Sequence, residues 1–288
     1  MDASAWKERV QAVTSHGAVQ RLLAVLRRYD AAGGSLLAGG LAYSALFALV
    51  PLVLVTAGLT GLLVADPAVR NRVVTAIGDV LPPLRGLVEA ILGESAREAS
   101  TISLLGAVTF FWGGSRFVLA FTGAVSRVTG NPSARSVVRQ NLIGLATALT
   151  LVVTVVLGAG FAGLAAILDD AVANREIVAL SILTRFALAL LPLLLAVATM
   201  AFVYRFVPGQ RPSWSATIPP AVAVAVALTI LTRAFVFLAP RLIGTAATIG
   251  SLATAFAALA WLALTFQAIL MGAAWAGERQ AAGRVIRG

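Results

Sequence analysis

Three arginines lie inside apolar stretches long enough to cross a membrane, and they are the residues best placed to do chemistry there: Arg116, Arg185 and Arg233. A charge at mid-membrane depth costs about 2.5 kcal/mol or more and usually marks a ligand pathway or a partner. No Asp or Glu falls clearly within the core of any such stretch. Cations at lowered dielectric attract anions by Coulomb's law. The pattern therefore favours an anionic ligand, such as a lipid phosphate or a small organic anion, over a proton relay of carboxylates.

Arg116 has the most informative surroundings of the three. It follows a Gly-Gly-Ser run at 113–115, whose small side chains leave room beside it, so we predict a polar cavity there. For Arg185 and Arg233, which lie near the outer boundary, snorkelling of the long side chain to the interface is an equal alternative. The candidate substrate-binding residues form one set: Arg116, Ser115, Tyr43, Arg233 and Arg185.

Two prolines are candidates for helix breaks or gates. Pro51 and Pro192 lie at comparable depths within two apolar stretches. Interrupted helices at matching positions are typical of inverted-repeat transporters. Proline is also common in membrane helices generally, so whether the two halves of the chain form a repeat stays open. Gly158, Gly160 and Gly163 match a dinucleotide-binding pattern, but their apolar context favours close helix packing instead.

The composition places all these residues in an integral membrane protein. Of 288 residues, 59% are hydrophobic and 12% are charged, with a mean hydropathy of +0.93, whereas soluble domains carry about 25% charged residues. Only helices and closed barrels satisfy their backbone in lipid, and no stretch alternates as a barrel strand would, so we expect one all-α membrane domain over 1–288. Six stretches reach the about 20 residues of a spanning helix: 36–64, 101–125, 140–168, 180–207, 215–238 and 248–277.

The basic residues predict the orientation. Thirteen of the 22 Lys and Arg residues fall on one side with four acidic residues, and six fall on the other with eight. By the positive-inside rule, both termini are cytoplasmic. We expect residues 1–35 to form a cytoplasmic arm, whose amphipathic helix at 5–30 lies on the anionic leaflet or packs on the protein itself. Residues 66–100 are expected to form an external amphipathic segment of two short helices interrupted by the prolines at 82–83.

Several kinds of chemistry are excluded by what the sequence lacks. There is no cysteine, and His16, the single histidine, cannot build a metal cage. No P-loop pattern is present, so ATP hydrolysis by this chain is not expected. RNA hydrolysis needs acid and base groups or metal-bound water, and the cytoplasmic carboxylates are scattered. We therefore expect no enzymatic activity, ribonuclease activity included, and no cofactor or metal.

Several runs of residues carry a family resemblance. The run GGLAYSALFALVPL resembles the first span of the YihY/BrkB family of bacterial inner-membrane proteins, and the matching residues are Leu41, Ala42, Tyr43 and Pro51. Four further runs resemble the family's fourth to sixth spans in order and spacing: 183–195, 204–214, 249–264 and 269–278. The resemblance covers about residues 20–280. It implies six transmembrane helices in the bacterial inner membrane, in a family that has carried ribonuclease, virulence and lipid-transport labels.

These features predict transport or flipping of an anionic or amphipathic, lipid-like substrate through a cavity of polar and small residues. The alternative, from a different class, is a non-transporting scaffold that recruits cytoplasmic partners through its amphipathic arm and basic loops. Membrane lipids are the expected partners, a homo-oligomer is left open, and no specific nucleic acid is expected.

The orientation can be tested by cysteine labelling, because the chain has no native cysteine. Single cysteines at Ser133 and Gly209 should resist a membrane-impermeant thiol reagent applied outside intact cells, whereas a cysteine at Ala90 should react. Labelling of the first two sites with protection of the third would reverse the orientation drawn from the charges.

Overall fold

The computed structural model describes residues 17–63, 99–130, 178–209, 211–245 and 251–285, together with positions 142, 146 and 150. These ranges are helical apart from short turns and connections, and they contain no strand, which confirms the all-α prediction for this part of the chain. Their six helices are α1 (Gly17–Ala31), α2 (Gly34–Leu63), α3 (Ala99–Val128), α4 (Val178–Phe206), α5 (Trp214–Thr245) and α6 (Ser251–Val285).

Helices α2 to α6 fall on five of the six predicted spans. The predicted span 140–168 lies outside the described residues, apart from three isolated helical positions, and so does most of the external segment 66–100. Helix α5 continues past the predicted end at 238, so Arg241 lies on a helix and not in a connection. Its guanidinium carbon lies 3.6 Å from the centre of the Phe237 ring, and this cation–π contact stabilises the charged side chain.

Length and apolar composition identify two candidate membrane spans among the described residues, Trp214–Leu238 and Ala255–Arg284. A third is added if the bent pair Val19–Ala31 and Gly34–Ala48 is counted as one span. The outer surface of the bundle fits a lipid environment, because large apolar side chains are exposed on it, among them Leu36 at 84% and Phe256 at 67%. Broad apolar exposure of this kind is unusual for a monomer in water. The protein is an integral membrane helical protein.

Of the predicted amphipathic helix at 5–30, residues before 17 lie outside the described part, and the remainder is the helix α1, Gly17–Ala31. The bend after it is built by glycine. Gly33 has a φ of 72°, in the left-handed region that glycine adopts without strain. Its N–H donates to the Asp30 carbonyl at 2.9 Å, and α2 then leaves at about 60° to α1. Val25 and Tyr29 are buried against α2 and α6, so this part of the arm packs on the protein itself.

The bundle is organised around α2, α3 and α6. Helix α2 packs along α3 and α6, while α5 packs against both α4 and α6. Phe117, Phe121 and Phe266 bring their ring centres within 5.8 to 6.3 Å of one another where α3 meets α6. Farther along α6, Ala273 and Ala274 are completely buried. Since lipid removes the hydrophobic drive between membrane helices, such small residues stabilise the bundle by allowing close backbone approach.

One buried hydrogen bond links α4 to α6. The hydroxyl of Tyr204 donates to the carbonyl oxygen of Ile269 at 2.8 Å, and the tyrosine has no exposed surface. Gly272 lies one turn after Ile269 on α6. A methyl group added there would overlap with the Tyr204 hydroxyl and with a methyl of Val224. The glycine therefore leaves the space that this tyrosine occupies.

Replacing Gly272 by alanine should destabilise the protein, because the new methyl would displace the Tyr204 hydroxyl from Ile269. We expect a loss of about 1–3 kcal/mol, seen as a fall of several degrees in the thermal unfolding temperature in detergent. Gly283→Ala on the same helix is the matched control, since nothing lies within 4 Å of the added methyl, and its helix propensity should leave stability equal or higher. Equal losses in both variants would contradict this account of Gly272.

Candidate functional site

Arginines gather at one end of the bundle, which we call the basic end. There α1, α3, α4 and α6 finish and α2 and α5 begin. Within the described ranges, two carboxylates lie at this end, Asp30 and Glu278, and no three His, Asp or Glu side chains are grouped to hold a metal. The arginines of the basic end are Arg21, Arg27, Arg28, Arg127, Arg205, Arg211, Arg279 and Arg284.

Arg28 ties three helices together at the basic end. Its Nε donates to Oε1 of Glu278 at 2.6 Å, and its Nη1 donates to the carbonyl oxygen of Thr129 at 2.9 Å. The two charged side chains are 24% and 31% exposed, so the pair is partly shielded from water. Arg28 lies on α1, Glu278 on α6 and Thr129 directly after α3. The planar guanidinium serves both acceptors at once, which a point charge on lysine does less well.

The connection between α4 and α5 is held by two further arginines. Arg205 donates through Nη1 to the Pro212 carbonyl at 2.5 Å and places its guanidinium carbon 4.4 Å from the centre of the Trp214 ring. Arg211 lies over the Phe206 ring at 5.4 Å. Helix α4 ends at Phe206, just before Pro208, which lacks the N–H that another helical turn requires. These contacts join the end of α4 to the start of α5 at the basic end.

A cavity of about 440 Å³ opens between α1, the start of α5 and the end of α6. Its basic lining consists of Arg21, Arg279 and Arg284. The Nε and Nη2 atoms of Arg279 donate to the Ser215 carbonyl at 3.2 and 3.0 Å, so α6 is joined to α5 beside the cavity. Sequence reasoning used these arginines only to orient the chain. Their convergence was not predictable from spacing, because Arg21 is more than 250 residues from its neighbours.

The predicted site residues of α2 and α3 lie at a common level. The two helices run antiparallel, and a methyl group added at Gly113 would lie 4.0 Å from the Phe47 carbonyl oxygen. One turn nearer the start of α2 is Tyr43, and one turn nearer the end of α3 is Arg116. Because the helices are antiparallel, these two residues lie at the same level. Tyr43 is 60% exposed, and Ser115 and Arg116 are also on the exposed side of α3. The register therefore groups three of the predicted residues on one helix pair.

The other predicted residues do not join this group. Arg233 is exposed on α5, which packs on α4 and α6, and Pro192 is exposed on α4. Arg185 and Pro51 lie within α4 and α2, with their side chains outside the described part. The cavity at the basic end is lined by none of the predicted residues. A polar cavity beside Arg116 and gating at the two prolines remain predictions.

The Arg28–Glu278 contact should contribute measurably to stability. Arg28→Met removes two charge-assisted contacts and leaves Glu278 partly shielded without its partner, so we expect a loss of about 1–3 kcal/mol. The neighbouring Arg27 is exposed, and Arg27→Met should change stability by less than about 0.5 kcal/mol. Thermal unfolding of both variants in detergent compares them. Indistinguishable unfolding temperatures would show that Arg28 does not hold the three helices together.

Comparison with known proteins places the chain in a family. The family described as Virulence factor BrkB matches residues 25–286, nearly the whole chain. A UPF0761 membrane protein of Chromohalobacter salexigens is 26% identical over 276 residues, which are 92% of this chain and 65% of that protein. The chain thus spans about two thirds of the length of this curated relative. No solved structure matches it significantly. Together with the helical bundle and its apolar surface, the match shows that the chain belongs to the virulence factor BrkB family of membrane proteins.

Proposed function

We propose that this protein is a six-span transporter or flippase-like protein of the bacterial inner membrane, with both termini in the cytoplasm and an anionic, lipid-like substrate. The observation that carries the proposal is the exposed cation inside a bundle helix. Arg116 lies twelve residues before the end of α3 at Val128, which is about 18 Å along the helix axis. That depth is near the middle of a hydrocarbon core of about 30 Å.

The surface beside Arg116 suits an amphipathic molecule. Tyr43 and Phe47 of α2 are exposed and pair their rings at 4.7 Å, and Leu119 of α3 is exposed one turn from Arg116. A guanidinium can hold an anionic group while acyl chains lie against exposed apolar side chains at the same level of the helix pair. Phe117, the next residue along α3, turns inward onto Phe266 and fixes which side of the helix Arg116 occupies.

The arginines of the basic end support the proposed orientation. Within the described ranges, eight arginines and two carboxylates lie at this end, and the positive-inside rule assigns such an end to the cytoplasm.

The sixth span of the proposed topology is the predicted stretch 140–168. We also propose that the chain is not an enzyme: of the two carboxylates described at this end, Asp30 and Glu278, the second is engaged by Arg28. Membrane lipids are the proposed partners.

A scaffold function is the second candidate, and the hydrogen bonds at the basic end favour it. Arg28, Arg205 and Arg279 each bind a carbonyl or carboxylate across an element boundary, which joins the helices that carry the basic surface. A surface of this kind can recruit an acidic partner without any flux. Substrate-dependent flux in proteoliposomes separates the two functions, because a scaffold produces none.

Substitutions at Arg116 test the transport proposal. If its charge binds an anionic group, Arg116→Lys should retain part of the flux, because a point charge remains without the planar fork. Arg116→Gln and Arg116→Leu should abolish flux while the protein still inserts, and neither should unfold at a lower temperature. Flux of fluorescent anionic lipid in proteoliposomes and unfolding temperature in detergent are the measurements.

The matched control is Arg127→Gln, an equal loss of charge on the exposed surface at the end of the same helix. It should leave flux unchanged. Normal flux with Arg116→Gln would refute the anion site at Arg116. If Arg116 has a structural role instead, Arg116→Gln should keep its flux, and Arg116→Leu should unfold at a lower temperature.

A further inference from the structure

Among the described residues that line the cavity at the basic end, arginines outnumber carboxylates. Three guanidinium groups line it, from Arg21 on α1 and from Arg279 and Arg284 on α6. Glu278 also lines it, but its carboxylate is 2.6 Å from the Arg28 guanidinium and is neutralised by that contact. The cavity therefore attracts an anion, and arginine matches the oxygens of phosphate in geometry as well as in charge.

Part of the polar lining of the cavity is joined by hydrogen bonds within the protein. Arg279 is oriented by its two bonds to the Ser215 carbonyl, and the N–H of Ser213 donates to Oε1 of Gln280 at 3.1 Å. The hydroxyl oxygens of Ser213 and Ser215 lie 3.0 Å apart. All four residues line the cavity. Since these side chains are already ordered, binding an anion costs less conformational entropy.

An apolar stripe leads away from the cavity along α5. Ile218, Val222 and Val226 are exposed and follow Ser215 at helical spacing, so all four lie on one face. The distance from Ser215 to Val226 is about 16 Å along the axis, close to the thickness of one leaflet of the hydrocarbon core. An anion bound at Ser215 and Arg279 would therefore have a path for an acyl chain directly above it.

We propose that the cavity at the basic end binds the phosphate of an anionic phospholipid from the adjacent leaflet, with an acyl chain along Ile218, Val222 and Val226. A free phosphate shares the charge chemistry but makes no use of the stripe. This lipid site is separate from Arg116 on α3, and it does not depend on transport. A scaffold would hold the same lipid, so loss of flux and loss of this binding are distinguishable results.

The test is titration of the full-length protein in detergent with phosphatidylglycerol, with bound lipid measured by native mass spectrometry. The test variant combines Arg21→Gln with Arg284→Gln and keeps Arg279, whose bonds to Ser215 join two helices. The control variant combines Arg27→Gln with Arg127→Gln, which removes the same charge from exposed arginines that do not line the cavity. Unfolding temperatures verify that both variants are folded.

The test variant should bind phosphatidylglycerol about 30-fold more weakly than the native protein, because each basic residue contributes about fivefold to anionic lipid binding. The control should stay within about twofold of the native protein. Ile218→Ser should weaken binding of phosphatidylglycerol but not of glycerol 3-phosphate. Phosphatidylcholine should bind weakly to the native protein and to every variant. Inorganic phosphate and glycerol 3-phosphate complete the set of probes.

Three results would overturn the proposal. Equal losses in the test and control variants would show a diffuse basic surface without a site. Binding of inorganic phosphate as tight as that of phosphatidylglycerol, lost with the same variant, would identify a soluble anion as the ligand. Failure of the native protein to bind phosphatidylglycerol more tightly than phosphatidylcholine would remove the site altogether.

Discussion

The contact of Arg28 with Glu278 and with the Thr129 carbonyl is the interaction on which the basic end depends. Apolar helices in lipid gain little from burying one another, so specific polar contacts and close packing must determine their arrangement. Arg28 supplies polar contacts of this kind at the point where α1, α3 and α6 meet. It brings the amphipathic arm against the bundle, and the arm in turn contributes Arg21 to the cavity. Together with the buried Val25 and Tyr29, this contact holds α1 in place as one wall of the cavity.

Next to the basic end, close packing of small residues adds to the charged contacts. Gly272 leaves room for the Tyr204 side chain, whose buried hydroxyl donates to the Ile269 carbonyl oxygen of α6. The buried alanines of α6 extend the same close approach. Nearer the middle of the bundle, the packed rings of Phe117, Phe121 and Phe266 join α3 to α6. A charged residue such as Arg116 in that part of a membrane helix is costly, and such residues usually have a function.

The two sets of cations suggest a division of roles. Arg116 lies twelve residues before the end of α3, on the exposed side of that helix, whereas the cavity arginines lie at the basic end. A ligand at the first position would have left the interface, and a ligand at the second would remain at it. Transport requires the former, and stable association with one leaflet requires only the latter. Membership of the BrkB family covers both positions but assigns a role to neither.

The sequence by itself determined the membrane class, the helical fold and the end of the bundle at which basic residues collect. These properties follow from composition, from apolar stretches of spanning length and from the backbone's need for internal hydrogen bonds in lipid. The family was also recognisable from runs such as the one containing Tyr43. The sequence could not place Arg21 beside Arg279, or Tyr204 beneath Ile269, because such pairs are far apart in the chain and no local pattern records them. Only the tertiary structure decided these neighbours, since helix crossing and register depend on how whole surfaces fit together.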